Sequence, residues 1–263
     1  MSRPILALLS DFGTRDPYVA AMKGAALSIC AEATIVDLGH DITPHDILEG
    51  ALHLQATYKY FPPGTVFVAV VDPGVGTARR GIAADVGDYR FVAPDNGVLT
   101  AVLRERPPKK IVELTERRFF RPTVSRTFEG RDRFAPAAAW LLRGIELSAL
   151  GRPVTSPVLL DLPVPVAEGT VLRGQILRAD RFGNLLTSID RAAFDRFVHG
   201  RTFALTAGGH EIGRLVDTYD AIAPGEVCAL FGSNDLLELA TRSASAAVVL
   251  GLPPGAPVLV TVS

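Results

Sequence analysis

The chain has 263 residues, 48% hydrophobic and 21% charged, which excludes a disordered segment and supplies enough apolar material for two cores. Its 27 basic and 28 acidic residues give a formal net charge of -1 with no long run of either sign, so neither nucleic acid nor an anionic membrane has an electrostatic footprint, and a small molecule is the expected partner. Cys30 and Cys228 sit inside apolar runs, as buried free thiols do; the first apolar run is too short for a signal peptide and is closed by Asp11, and no stretch nears the roughly 20 apolar residues of a membrane span, so a cytoplasmic location is expected.

Short aliphatic runs at 4–10, 34–38, 65–71, 81–86 and 90–93 alternate with segments of helical period at 17–30, 46–60, 97–104 and 132–142. This is the pattern of parallel strands joined by crossover helices, and it predicts a doubly wound, Rossmann-like α/β domain with a mostly parallel sheet over residues 1–152. The stretch that follows holds Pro153, Pro157, Pro163 and Pro165 with little periodicity, so residues 153–166 read as a linker. Beyond it, runs at 172–179, 185–189, 202–206, 211–216, 227–231, 236–240 and 258–262 predict a smaller all-β barrel-like domain over 167–263, with Gly208 and Gly209 at a hairpin tip.

In open sheets of this kind ligands bind beyond the carboxyl ends of the strands. Three predicted strands end in aspartate, at Asp11, Asp37 and Asp72, and the first and third lead into glycine loops. A single such aspartate is ordinarily a turn-former or helix cap, whereas two on adjoining glycine loops point to a site. The loop Asp72-Pro73-Gly74-Val75-Gly76-Thr77 is not a dinucleotide fingerprint, because Arg79 stands where the third glycine belongs and the loop follows the third strand. One glycine turn separates Asp72 from Arg79, which makes their contact easy. The five histidines show no paired metal-ligand spacing. The segment Thr127 to Pro136 is a charged loop entering an alanine-rich helix, with Asp132 at its start.

The segments SDFGTRDPYVAAMKG, DITPHDILEGA, FPPGTVFVAVVDPGVGTARR, VAPDNGVLT and TFEGRDRFAPAAA resemble the S-adenosyl-L-methionine hydroxide adenosyltransferase family. In the second half ADRFGNLLTSI and GSNDLLELA resemble its C-terminal blocks, and fluorinase and chlorinase are relatives of the same fold. The resemblance implies a homotrimer whose substrate lies between one subunit's first domain and its neighbour's second. It implies that Asp11 holds the ribose hydroxyls, that Asp16 and Asp180 hold the methionine ammonium, and that Asn184 faces the adenine edge beside Phe182. Ser233 would meet the methionine carboxylate. Phe128, Tyr219, Glu238 and the stretch Thr241, Arg242, Ser243 would wall the nucleoside pocket. Around the attacking water the family carries an aspartate, an arginine and a histidine; the first two match Asp72 and Arg79, and Glu129 stands at the histidine position. The halide enzymes carry tyrosine at the aspartate position, so a carboxylate there favours water.

The implied reaction splits S-adenosyl-L-methionine into adenosine and L-methionine. A sulfonium leaves as neutral methionine, so the chemistry calls for no cofactor and no general acid. Two alternatives stay open at this point: a non-catalytic binder of S-adenosyl-L-methionine or adenosine, and an adenosyl-halide synthase.

Overall fold

A computed structural model describes residues 3–263, so Met1 and Ser2 lie outside the described residues. The chain divides into two units, one ending at Leu162 and the other starting at Pro163.

The first unit runs β1 (Ile5–Ser10), α1 (Tyr18–Leu27), β2 (Thr34–Gly39), α2 (Ile47–Tyr58), β3 (Val66–Val70), β4 (Gly81–Val86), β5 (Tyr89–Pro94), α3 (Thr100–Glu105), β6 (Lys110–Leu114), α4 (Ala135–Leu142) and β7 (Gly151–Pro153). Its sheet has the order β2-β1-β3-β5-β4-β6-β7. The pairings from β2 to β5 are parallel, and those from β5 to β7 are antiparallel. The sheet is therefore mixed, which corrects the expectation of a mostly parallel, Rossmann-like one. The cause is local: only Gly87 and Asp88 separate β4 from β5, and a two-residue turn can join antiparallel neighbours but not parallel ones. The strands β6 and β7 extend this antiparallel half.

Successive side chains of β1 and β3 point to opposite faces, as the strand period requires. Leu6, Leu8, Val66 and Val68 join Met22 of α1 and the alanines of α4 in one core. Ala7, Leu9, Phe67 and Ala69 join Leu54 and Tyr58 of α2 and Val102 of α3 in the other. In the second core Phe67 stacks on Phe91 at 5.0 Å while Tyr58 meets Phe91 edge-on at 5.7 Å. Each ring so buried contributes about 1.5–3 kcal/mol. Helix α2 begins where the Asp46 carboxylate accepts from the Glu49 N–H at 2.8 Å, an N-cap that satisfies one free donor of the first turn.

Two features of this unit position the site. Ser10 of β1 lies opposite Val70 of β3, so Asp11 and Asp72 emerge from neighbouring strands at the same edge of the sheet. The helix α4 is preceded by a π-turn over Gly130–Phe134, closed by the Ala135 N–H on the Gly130 carbonyl. The proline-rich stretch is pinned in its first half: Val158 N–H donates to Asp95 Oδ1 at 2.8 Å and Leu160 N–H to Thr100 Oγ1 at 2.8 Å.

The second unit runs β8 (Val166–Glu168), β9 (Val171–Ala179), β10 (Leu185–Asp190), α5 (Arg191–Val198), β11 (Phe203–Ala207), β12 (His210–Ile212), β13 (Val227–Phe231), β14 (Leu236–Thr241), α6 (Ala246–Leu250) and β15 (Pro257–Val262). Seven of these strands follow the antiparallel order β12-β11-β15-β9-β10-β14-β13, with β8 beside β9, and the sheet curls into a nearly closed barrel. Its filling includes Leu172, Ile176, Leu185, Leu239 and Val260. Gly208 and Gly209 do form the β11–β12 tip. The all-β expectation is corrected by α5 and α6, capped respectively by Asp190 and Ser245. The strand expected over 211–216 ends at Ile212, and Leu215 makes only an isolated bridge to Ala229. Among the described residues no helix is long and apolar enough to cross a membrane.

Candidate active site

The chain leaves β3 at Val70 and reaches β4 through consecutive tight turns, with Val75 N–H on the Asp72 carbonyl at 3.2 Å and Thr77 N–H on the Gly74 carbonyl at 3.2 Å. These turns bring Arg79 back onto Asp72. Arg79 Nε donates to Asp72 Oδ1 at 2.8 Å and Nη2 donates to Oδ2, a bidentate pair. The same Nη2 donates to Glu129 Oε2 at 2.5 Å, and the guanidinium lies 5.3 Å from the centre of the Phe134 ring. The three charged side chains expected to surround the attacking water thus form one connected group, with exposures of 4% for Asp72, 10% for Arg79 and 14% for Glu129.

Burial pushes the Asp72 carboxyl above its ordinary value; the bonds from Arg79 offset only part of this, and the Glu129 charge adds to it. Burial works against the charge of Arg79, but the two carboxylates more than compensate and hold the guanidinium protonated. The result is a carboxylate with enhanced proton affinity beside a fixed cation, a pairing suited to orienting a water and taking its proton.

This group opens on a cavity of about 310 Å³ whose lining includes Asp11, Tyr18, His45, Asp72, Phe128 and Glu129. Asp11 accepts from the His45 backbone N–H at 2.9 Å. Phe12, Tyr18 and Phe128 meet edge to face with centroids 5.3–5.9 Å apart and wall one side. Asp16 is exposed and does not line this cavity. Asp37 is directed elsewhere: it takes Lys23 Nζ at 2.6 Å and the ring of buried His40 at 3.1 Å, and His40 in turn meets Ser10 Oγ at 2.7 Å. That chain braces the strand end from which Asp11 projects.

A second, larger cavity of about 750 Å³ belongs to the second unit. It gathers every residue expected there: Asp180, Phe182 and Asn184 from the β9–β10 loop, Ser233 and Glu238 around the β13–β14 turn, and Tyr219, Thr241, Arg242 and Ser243 on its wall. The β9–β10 loop is held by its own aspartate: Asp180 Oδ1 accepts from the Phe182 and Asn184 N–H groups, each at 2.8 Å, and Oδ2 from Asn184 Nδ2 at 3.0 Å. Gly183 has φ +84, and a Cβ there would lie 2.1 Å from Ser245 Oγ, so both conformation and space demand glycine. This loop leaves the Phe182 ring 79% exposed. Tyr219 donates its hydroxyl to Glu238 Oε2 at 3.0 Å, and burial pushes the Glu238 carboxyl upward. Thr241 Oγ1 is buried without a partner among the described residues, and Ser243 has φ +58, a conformation that a non-glycine residue holds only when its surroundings enforce it.

Sequence reasoning passed over Tyr18 and His45 in the first cavity and Arg178, Asp220 and Asn234 in the second. Asn234 is adjacent to Ser233 and was within reach of pattern; Arg178 lies inside a strand and carries no local signal. Among the described residues no cluster of histidine, cysteine or acidic side chains could hold a metal ion.

A mixed α/β unit with a carboxylate–guanidinium cavity and a barrel unit with its own cavity define a two-unit class of ligand-binding protein. Within that class the chain belongs to the S-adenosyl-L-methionine hydroxide adenosyltransferase family, whose N-terminal domain matches residues 6–151 and whose C-terminal domain matches residues 174–259. It is 39% identical to the (R)-S-adenosyl-L-methionine hydrolase of Thermus thermophilus, over 97% of this chain and 98% of that protein. It is 32% identical to a fluorinase of an Actinoplanes species, over 98% and 97% respectively. A crystal structure of an uncharacterized conserved protein from Thermotoga maritima superposes with a TM-score of 0.91 at 33% identity, covering 97% of this chain and 99% of that one.

Proposed function

We propose that this protein is a hydrolase that converts S-adenosyl-L-methionine and water to adenosine and L-methionine. The observation that carries the reading is the Asp72–Arg79–Glu129 group facing a cavity in a chain so similar to a named hydrolase. Water attacks C5′ of the ribose as the C5′–S bond breaks and its electron pair stays on sulfur. The cationic sulfonium becomes neutral methionine, and the positive charge that builds on the attacking oxygen is relieved by proton loss. Asp72 accepts that proton. Arg79 cannot, because a guanidinium stays protonated; it fixes the Asp72 carboxylate and the water. Holding the water in line can supply roughly 7–11 kcal/mol of the barrier reduction.

On this reading Asp11 takes the ribose hydroxyls and Phe128 walls the ribose. Asn184, Phe182, Tyr219, Glu238 and the stretch Thr241 to Ser243 receive the nucleoside, while Asp16, Asp180 and Ser233 receive the methionine end. The unpartnered Thr241 hydroxyl and the exposed Phe182 ring support a polar, stacking ligand in the second cavity. The two cavities serve one substrate through a homotrimer, each site combining units from neighbouring chains. The two free, buried cysteines fit a cytoplasmic enzyme.

Adenosine appearing by chromatography when the purified protein meets S-adenosyl-L-methionine tests the reading, and intact substrate after prolonged incubation refutes it. Added chloride or fluoride is expected to give no halogenated nucleoside, because the Asp72 carboxylate repels a halide.

A further inference from the structure

Arg133 is a cation that the catalytic reading leaves without a task. Its side chain is 14% exposed, Nη1 lies 3.5 Å from Glu129 Oε1, Nη2 donates to the Leu114 carbonyl at the end of β6, and Nε is buried with no partner among the described residues. The guanidinium also lies 5.5 Å from the centre of the Phe120 ring. Space for it is made by Gly81, where a Cβ would fall 3.1 Å from Arg133 Cζ and 2.5 Å from the Phe134 ring. Burying a cation with an unanswered N–H is costly, and an apolar side chain of similar volume would ordinarily be more stable there. What the arginine supplies is a second contact with Glu129, on Oε1 where Arg79 takes Oε2. It also offsets charge: Asp72 and Glu129 stand against Arg79 and Arg133 in one connected group, with the Glu113 carboxylate also acting on Arg133.

We infer that Arg133 is a positioning residue of the hydrolytic site, holding Glu129 by its other carboxylate oxygen and offsetting its charge while Arg79 bridges Glu129 and Asp72. Without Arg133, Arg79 alone answers both carboxylates. Asp72 then loses part of the bond that fixes it, and the uncompensated Glu129 charge raises its proton affinity. The inference rests on the hydrolytic reading of Asp72.

The test compares full-length wild type, R133M, R133K and the double variant E129H/R133M for steady-state adenosine formation across pH, with thermal melting to establish folding. R133M is expected to lose about tenfold to a hundredfold in kcat with KM nearly unchanged, and the acid limb of its rate profile moves to higher pH. R133K recovers part of the loss. E129H/R133M exceeds R133M by about tenfold, because an imidazole in place of the carboxylate needs no second cation; a residue needed only for packing gives losses that multiply instead. Wild-type kcat in R133M, or a folded double variant no better than R133M, overturns the inference. Should R133M fail to fold, R133K and the double variant decide: a folded double variant without activity overturns it. An inactive wild-type chain is a separate failure, which removes the hydrolytic reading itself and the role of Arg133 with it.

Discussion

The two cavities differ in how their polar groups are satisfied. In the first, Asp72, Arg79 and Glu129 answer one another at distances of 2.5–2.8 Å, and burial already biases the Asp72 carboxyl toward accepting a proton. In the second, Thr241 Oγ1 has no partner and Phe182 presents its ring to solvent. The Asp72–Arg79–Glu129 triad, whose mutual bonds are closed before anything binds although the Arg133 Nε beside it stays open, is set up for chemistry, because it needs little reorganisation when charge develops. A cavity with an open hydroxyl and an uncovered ring is set up for recognition, because a ligand supplies what is missing. On the proposed reading proton transfer belongs to the first unit and most of the nucleoside contacts to the second, so the two should separate in part under mutation.

The sharpest break of that division is Asp72→Asn. It keeps shape and removes the proton acceptor, so kcat is expected to fall by about 10²–10⁴-fold while calorimetry finds adenosine binding little changed; turnover at the wild-type rate would end the assignment. On the recognition side, Phe182→Ala is expected to weaken nucleoside binding by about 1–3 kcal/mol with kcat nearly constant, and a kcat effect larger than the KM effect would erase the contrast. Gly183→Ala tests the loop itself. Strain at φ +84 and the clash with Ser245 are expected to cost about 1–3 kcal/mol, read as a melting temperature lower by several degrees. The smallest expected effect is in pH. Because Asp72 acts deprotonated and its proton affinity is raised, the rate should hold at neutral pH and fall as the pH drops through a point above the ordinary carboxylate range. Glu129→Gln removes the like charge that contributes to this, so the acid limb should move to lower pH; a limb that stays in place would show that Glu129 does not act on Asp72.

Much of the first cavity was legible because its residues sit where the strand pattern stops. Asp11 and Asp72 follow aliphatic runs and precede glycines, and Arg79 is one glycine loop away from Asp72, so local spacing alone brings two of the three charged groups together. Glu129 is distant in sequence, and only resemblance to a family placed it with them. The mixed sheet was missed because β4 and β5 are each short enough to read as strands of a parallel series; the Gly87-Asp88 pair between them was the signal to weigh. Helix α6 escaped notice because five residues show no usable period, whereas α5 was readable: Phe194 and Val198, four positions apart, share its buried face, and Asp190 stands at its start as a cap. Arg133 could have been noticed as the residue four positions after Glu129, which in a helical stretch lies on the same face. That it is buried with an unanswered N–H is a tertiary fact, set by Gly81, Leu114 and Phe120, which no window around residue 133 contains.

The π-turn at Gly130–Phe134 carries one residue more than an α-helical turn would need. Deleting any one residue within it would let the backbone settle into regular helix continuous with α4, a change that favours the helix taken alone. The chain ahead of the deletion would keep nearly the same direction around the helix axis, because a five-residue i→i+5 turn and a four-residue i→i+4 turn each complete about one revolution, so Glu129 would stay near Arg79. What the extra residue sets is the spacing of Arg133 from Glu129: losing Arg131 or Asp132 would shorten it from four positions to three and would break the ion pair between those two residues.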